Sequence, residues 1–232
     1  MTLDVLYLTP DQGAPRDALI LFPGGNGTGA YKITETGTAY GWNLLIRNAE
    51  RFAKNGLTVA AVAPPSDHPS GMSTGFRESA EHADDIAVLS TWLEAQGVER
   101  IFLVGNSRGT LSALSLAGRP LNSRVKGVIL TSTLEYDNFM RWLPLDRVRL
   151  PVLMIHHRED TCRVSSFDEA LKTREALAAV TPVDFVAVDG GADPMSPPCN
   201  DLSSHGFFGR DDAVFRVITD WVNGHKVPDK VE

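Results

Sequence analysis

The sequence predicts an α/β fold built on a mostly parallel sheet with helices on both faces. Two patterns carry this expectation. Short, almost fully apolar runs recur along the chain, as in Ala18–Phe22, Ile101–Val104, Val125–Leu130 and Pro151–Ile155. Strands of that kind have no face to offer to water, which is the signature of a parallel sheet covered on both sides. Between them lie segments with apolar residues at helical spacing, and this alternation implies successive βα units. At 232 residues, 43% hydrophobic and 22% charged, the chain is long enough for one full core. There are no repeats, linkers or low-complexity segments, so residues 1–232 are expected to form a single domain.

The elements follow in order. Residues 3–8 alternate enough for an edge strand, closed by Pro10 and the Gln12–Pro15 turn. Residues 18–22 form a buried strand, after which a long Gly/Thr-rich loop runs to about Gly41. Residues 42–54 predict a helix with Trp42, Leu45, Ile46, Ala49, Phe52 and Ala53 inward, capped by Asn55-Gly56. A strand over 57–63 stops at Pro64-Pro65, and the Pro/Ser/Gly-rich stretch to Gly75 is a loop. Residues 76–95 predict a helix burying Ile86, Leu89, Trp92 and Leu93. Later strands are expected at 125–130, 151–156 and 183–188, with helices at 166–180 and 210–223.

Net charge of −7 and a pI near 5.4 argue against a nucleic-acid surface and against an anionic membrane as partner. No apolar run approaches the length of a membrane span. Met1–Asp4 carries neither a basic n-region nor an apolar h-region, so the expected compartment is the cytoplasm. Two reduced thiols are the simplest state there for Cys162 and Cys199.

The chemistry centres on Ile101–Thr110, where an apolar run enters Gly105-Asn106-Ser107-Arg108-Gly109 and a helix-compatible stretch follows. A strand that turns this sharply into a helix holds its apical serine in strained backbone geometry. Residues two positions away on either side must then lack bulk, as Gly105 and Gly109 do. The hydroxyl projects at the carboxyl end of the strand, beside a helix N-terminus that favours negative charge. On these residues the chain resembles the α/β-hydrolases, whose nucleophile elbow has this form. The resemblance extends over essentially the whole chain and implies a serine nucleophile, an acid and a histidine in that chain order.

The resemblance places the acid after the strand at 151–156, where Asp160 occupies the Gly-x-x-Asp position of many hydrolases, with His157 in place of the glycine. Glu159 is the alternative. The base is expected after the last strand, where His205 precedes the closing helix and Gly206 permits a tight turn. A histidine titrating near neutrality can take the Ser107 proton and return it to a leaving group. His68 and His82 precede the serine, while His156, His157 and His225 sit at a strand end, against the acid and in the tail. The oxyanion hole would use the N–H of Arg108 and, from Pro23-Gly24-Gly25 in the place where many members carry His-Gly, the N–H of Gly25.

Two other chemistries fail on context. Gly25-x-Gly27-x-x-Ala30 follows a strand, but no helix starts promptly and no acid ends the next strand to hold a ribose. His156, His157, Asp160 and Cys162 have ligand types but lie in alternating directions at a strand end, so no metal is expected. With the triad placed, Cys162 lies two residues after the acid and Cys199 six before the base, so a disulfide between them is the alternative to free thiols.

The expected activity is hydrolysis of an ester-type bond (ester, thioester or lactone) in a small acyl substrate, through an acyl-enzyme and without a cofactor. Acyl transfer to another acceptor would use the same triad, and a non-catalytic binding or regulatory protein on this fold is the other class. Arg108, Arg158 and Arg163 are compatible with an acidic substrate or with a structural role. Loops 26–41, 64–75 and 134–148 are expected to shape the pocket. Only about twenty residues separate the strands at 125–130 and 151–156, which is short for an inserted helical cap.

Overall fold

The computed structural model describes residues 2–11, 13–34, 37–120 and 122–232. The chain starts with β1 (Val5–Leu8) and β2 (Asp17–Phe22), and a hairpin of β3 (Tyr31–Thr34) and β4 (Gly37–Tyr40) follows. Then come α1 (Leu44–Arg47), α2 (Ala49–Lys54), β5 (Thr58–Val62), α3 (Thr74–Arg77) and α4 (Ala80–Ala95). The centre is β6 (Arg100–Asn106), α5 (Gly109–Ala117) and β7 (Val125–Thr131). The rest is β8 (Val152–His157), α6 (Phe167–Ala178), β9 (Val183–Val188), α7 (Asp211–Val222) and β10 (Lys230–Val231).

Among the described residues the main sheet runs β1-β5-β2-β6-β7-β8-β9-β10, with β1 antiparallel to β5 and every other pairing parallel. This is the mostly parallel sheet, covered on both faces, that the alternation of apolar runs and helices predicts. Side chains alternate across each strand, so one strand feeds two cores. Ile20, Phe22, Ile101 and Leu103 pack against α4, α5 and α6 on one face. Leu19, Leu21, Phe102 and Val104 pack against α1, α2 and α7 on the other. No described helix is long and apolar enough to cross a membrane.

Several boundaries differ from expectation, for local reasons. The helix expected at 42–54 breaks at Asn48, which caps α1 through its N–H and carries its side chain to Leu44 O and Asp211. The one expected at 76–95 breaks at Ser79, whose hydroxyl accepts the His82 N–H as a new N-cap. The β3–β4 hairpin lies in the stretch expected as loop, and β10 in a tail with no strand-like pattern. Trp42 and Trp92, expected inward, are 67% and 42% exposed. Trp92 instead meets the Tyr7 ring edge-on across the sheet margin.

Candidate active site

The sharp turn after β6 is present, and its strain is measurable. Ser107 has φ +51°, a left-handed conformation that costs a β-carbon-bearing residue energy unless its surroundings impose it. The surroundings do so. A Cβ on Gly105 would lie 2.6 Å from Gly109 O, and one on Gly109 would collide with Phe22 O, so neither neighbour can carry a side chain. The Ser107 N–H is tied to Thr131 O on β7 at 2.9 Å. Next to it, the Asn106 side chain donates to Thr131 Oγ1 at 3.0 Å.

Ser107 Oγ lies 2.9 Å from His205 Nε2, and His205 Nδ1 lies 2.9 Å from Asp160 Oδ2. Because the carboxylate is acceptor-only, the His205 proton sits on Nδ1, which leaves Nε2 to accept from the serine hydroxyl. His205 and Asp160 are 3% and 7% exposed. Asp160 Oδ1 accepts the Cys162 N–H at 2.9 Å, and the Ser165 hydroxyl lies 3.0 Å from Oδ2. Burial alone would raise the Asp160 carboxyl, but hydrogen bonds from His156 and His205 and their fields outweigh it and hold it at about 2. The three residues singled out in the sequence thus form one hydrogen-bonded chain. Glu159, the alternative acid, is exposed instead.

The loops carrying Asp160 and His205 are tied together. Cys162 and Cys199 form a disulfide, which decides between the two states left open above. It also withdraws the Cys162 sulfur as a metal ligand, while His157 Nε2 points to Gly190 O at 2.7 Å rather than toward the carboxylate. Gly206 sits so close under Asp201 O that a Cβ there would collide with it, a tighter constraint than turn geometry alone. The Ser132 hydroxyl donates to His205 O at 2.6 Å.

Three roles at the site escape sequence reasoning, those of Arg47, Arg77 and His156. Arg47 clamps the base loop, donating from Nη2 to Gly206 O at 2.6 Å and from Nε to Asp211 at 2.6 Å. Arg77 is fully buried and donates to Pro23 O at 3.1 Å, Gly25 O at 3.3 Å and Ser112 Oγ at 3.0 Å. His156, buried behind the acid, lies with Nε2 3.5 Å from Asp160 Oδ2 and 3.3 Å from Ser165 O. None has a motif around it; each is recognisable only by its partners.

A cavity of about 310 Å³ opens beside Ser107, walled by Pro23–Ala30, Gly41–Asn43, Asn106, Cys199–Asp201 and His205. Of the expected loops, 26–41 contributes directly. Loop 64–75 acts only from behind, through the Met72 N–H to Asn26 O and Asn26 Nδ2 to Ser70 O. Loop 134–148 does not line the cavity, because its buried residues Met140, Leu143, Leu145 and Val148 join the core under α5 and α6. The segment holds two 3-10 turns, Met140–Trp142 and Leu145–Arg147. Arg158 lies 3.4 Å from Asp189 and over the Phe167 ring, and neither it, Arg108 nor Arg163 lines the cavity.

The sequence profile of the alpha/beta hydrolase fold matches residues 17–158, a stretch that includes Ser107 and stops short of Asp160 and His205. A hydrolase from Paraburkholderia phymatum, named for 2-hydroxy-6-oxononadienedioate and 2-hydroxy-6-oxononatrienedioate, is 35% identical over 109 residues. That match spans 46% of this chain and only 33% of the relative's length. Among solved structures, Thermogutta terrifontis esterase 2 phosphonylated by sarin superposes with a TM-score of 0.65 at 15% identity, covering 97% of this chain and 92% of that one. A sugar hydrolase from Lactococcus lactis gives 0.64 at 18% identity over 96% and 94%. The acylaminoacyl peptidase of Pyrococcus horikoshii gives 0.65 at 14% identity over 97% of this chain and 40% of its own. At these identities the structural likeness speaks for the fold.

Proposed function

Because the chain belongs to the alpha/beta hydrolase fold family, we propose that it is a serine hydrolase acting on an ester-type bond (ester, thioester or lactone) through an acyl-enzyme. The single observation that carries this is the unbroken chain Ser107 Oγ–His205 Nε2, His205 Nδ1–Asp160 Oδ2, with both links at 2.9 Å. The word hydrolase in the Paraburkholderia relative's name agrees with it.

Ser107 Oγ attacks the acyl carbonyl while His205 Nε2 takes its proton, and Asp160 holds the ring and stabilises the imidazolium. Negative charge then develops on the carbonyl oxygen. The N–H groups of Gly25 and Arg108 donate to no backbone carbonyl among the described residues, which suits them to receive that charge. His205 returns the proton to the departing alcohol or thiol. Water, activated by the same ring, attacks the acyl-enzyme and releases the acid. No step calls for a cofactor. A small acyl substrate fits a cavity of about 310 Å³, near the lower end of ligand pockets.

The test is a panel of p-nitrophenyl esters of graded acyl length, run on wild type and Ser107→Ala. Wild type should turn over the short members, and the variant should be slower by roughly 10⁴-fold or more. Equal rates in the two folded proteins would overturn the mechanism. A labelled Ser107 after fluorophosphonate treatment, located by peptide mass spectrometry, supplies an independent readout.

A further inference from the structure

The cavity wall includes an aspartate that the proposed mechanism does not use. Asp201 lines the cavity together with Ser107 and His205. Its side chain has one hydrogen-bond partner among the described residues, Asn43 Nδ2 at 3.3 Å. The other N–H of that amide goes to Asn106 Oδ1 at 2.7 Å, the shorter of the two bonds, and Asn43 Oδ1 accepts the Leu45 N–H as a helix cap. Arg47, the nearby cation, directs its donors to Asp211, Trp42 O, Gly206 O and the Asp201 backbone oxygen, and none to the Asp201 carboxylate.

We propose that Asp201 selects substrates carrying a primary ammonium group a few bonds from the scissile carbonyl. The proposal rests on the serine-hydrolase reading of this site. An aliphatic chain in the cavity would strip water from a partly buried carboxylate without replacing its hydrogen bonds, which is costly. A hydroxyl restores one hydrogen bond, whereas an ammonium restores that bond and balances the charge. Burial raises the Asp201 carboxyl above its usual range, and the Arg47 field, the Asn43 bond and the His205 field pull it back less than burial pushes it. A carboxylate left undercompensated by its own chain is one that a bound cation would stabilise. Like charge works the other way, so a dioate of the kind in the Paraburkholderia relative's name should be a poor substrate here.

The experiment compares isosteric esters at pH 7: benzyl β-alaninate with benzyl butanoate for the acyl limb, and 3-aminopropyl butanoate with butyl butanoate for the alcohol limb. In wild type, kcat/KM should favour the ammonium member of at least one pair by roughly tenfold or more after correction for hydroxide reactivity. Asp201→Asn should collapse that ratio. Propylammonium should compete with benzyl butanoate in wild type, a test that needs no variant to fold. No preference in either pair, or an equal preference in Asp201→Asn, overturns the proposal. An equal gain from benzyl 3-hydroxypropanoate overturns it in favour of a neutral donor. If Ser107→Ala hydrolyses benzyl butanoate as fast as wild type, the serine-hydrolase reading falls instead, so the two failures are distinguishable.

Discussion

Arg77 shows how much a single side chain can hold in place. A guanidinium buried with no carboxylate among its hydrogen-bond partners is costly to desolvate, and burial, followed by the field of Arg108, lowers it to about 9. Its position explains why it stays. Nη2 reaches the carbonyls of Pro23 and Gly25, on either side of the peptide whose N–H is assigned to the oxyanion, and Nη1 reaches Ser112 on the helix behind Ser107. It is a positioning residue in this reading, because it touches the loop and not the substrate. Arg77→Met should lower kcat by roughly 10²-fold with KM nearly unchanged, since misplacing a catalytic group by about an ångström costs that much. Arg77→Lys, which keeps the charge and one donor, should recover part of it. A fall in melting temperature with kcat intact would leave Arg77 a purely structural residue.

At the scale of elements, the site is made where loops from distant strands are fastened to one another. Asp160 follows β8 and His205 follows β9, and backbone pairing of those strands does not by itself bring the two together. Three fasteners do: the Cys162–Cys199 disulfide, the Ser132 hydroxyl on His205 O, and the Arg47 clamp on Gly206 O. The disulfide joins residues 37 apart, and closing a loop of that size should stabilise the fold by about 4 kcal/mol in the chain-entropy model. Cys162→Ser/Cys199→Ser should therefore melt roughly 8–16 °C below wild type, measured by circular dichroism without reductant. The same melt on wild type with and without reductant is the control. An unchanged midpoint in both would mean the two loops are held by their hydrogen bonds alone.

For the whole molecule, buried titratable groups set the acid limit of stability. His82 is fully buried between the Phe22 and Phe76 rings, with neither ring nitrogen hydrogen-bonded among the described residues. Burial, then the fields of Arg77 and Arg119, push it down to about 3. The unfolded chain takes up a proton there near pH 6.5 that the folded chain refuses, so stability present above pH 6.5 is lost as pH falls toward 3. Asp160, held at about 2, adds a second loss between about pH 4 and 2. The urea midpoint should fall steadily from pH 7 to pH 4, and His82→Leu should flatten that slope by an amount on the order of 3 kcal/mol at pH 4. A slope unchanged by the substitution would place the acid sensitivity elsewhere.

The apolar strands of the main sheet and the turn at Ser107 were legible because their causes are local, whereas β3, β4 and β10 carry no such run and were not. A short apolar run with no polar face, bounded by turn residues, reads as a covered strand, and Gly105 and Gly109 are required within four residues of each other by the same bend. Asp160 and His205, which the structure brings into one hydrogen-bonded chain with Ser107, were reached only through the chain order that the resemblance implies. Helix breaks at Asn48 and Ser79 were hidden, since each depends on which side-chain bond a polar residue makes. The inward placement of Trp42 and Trp92 failed because helical spacing marks a face without saying how far the core extends beneath it. Beyond these, the surroundings of the site belong to the tertiary structure. Arg77 meets Pro23 across 54 positions and Asn43 meets Asp201 across 158. Such contacts bring together groups whose identities predict nothing separately, because an arginine or aspartate reads as solvated until the fold buries it. The sequence by itself determined the apolar strands of the parallel sheet and the sharp turn at Ser107, and the resemblance it carries set Asp160 and His205 after that turn. Only the folded chain decided that the cysteines pair, which loops wall the cavity and that Asp201 is among its walls, since each depends on distances that close when the layers pack.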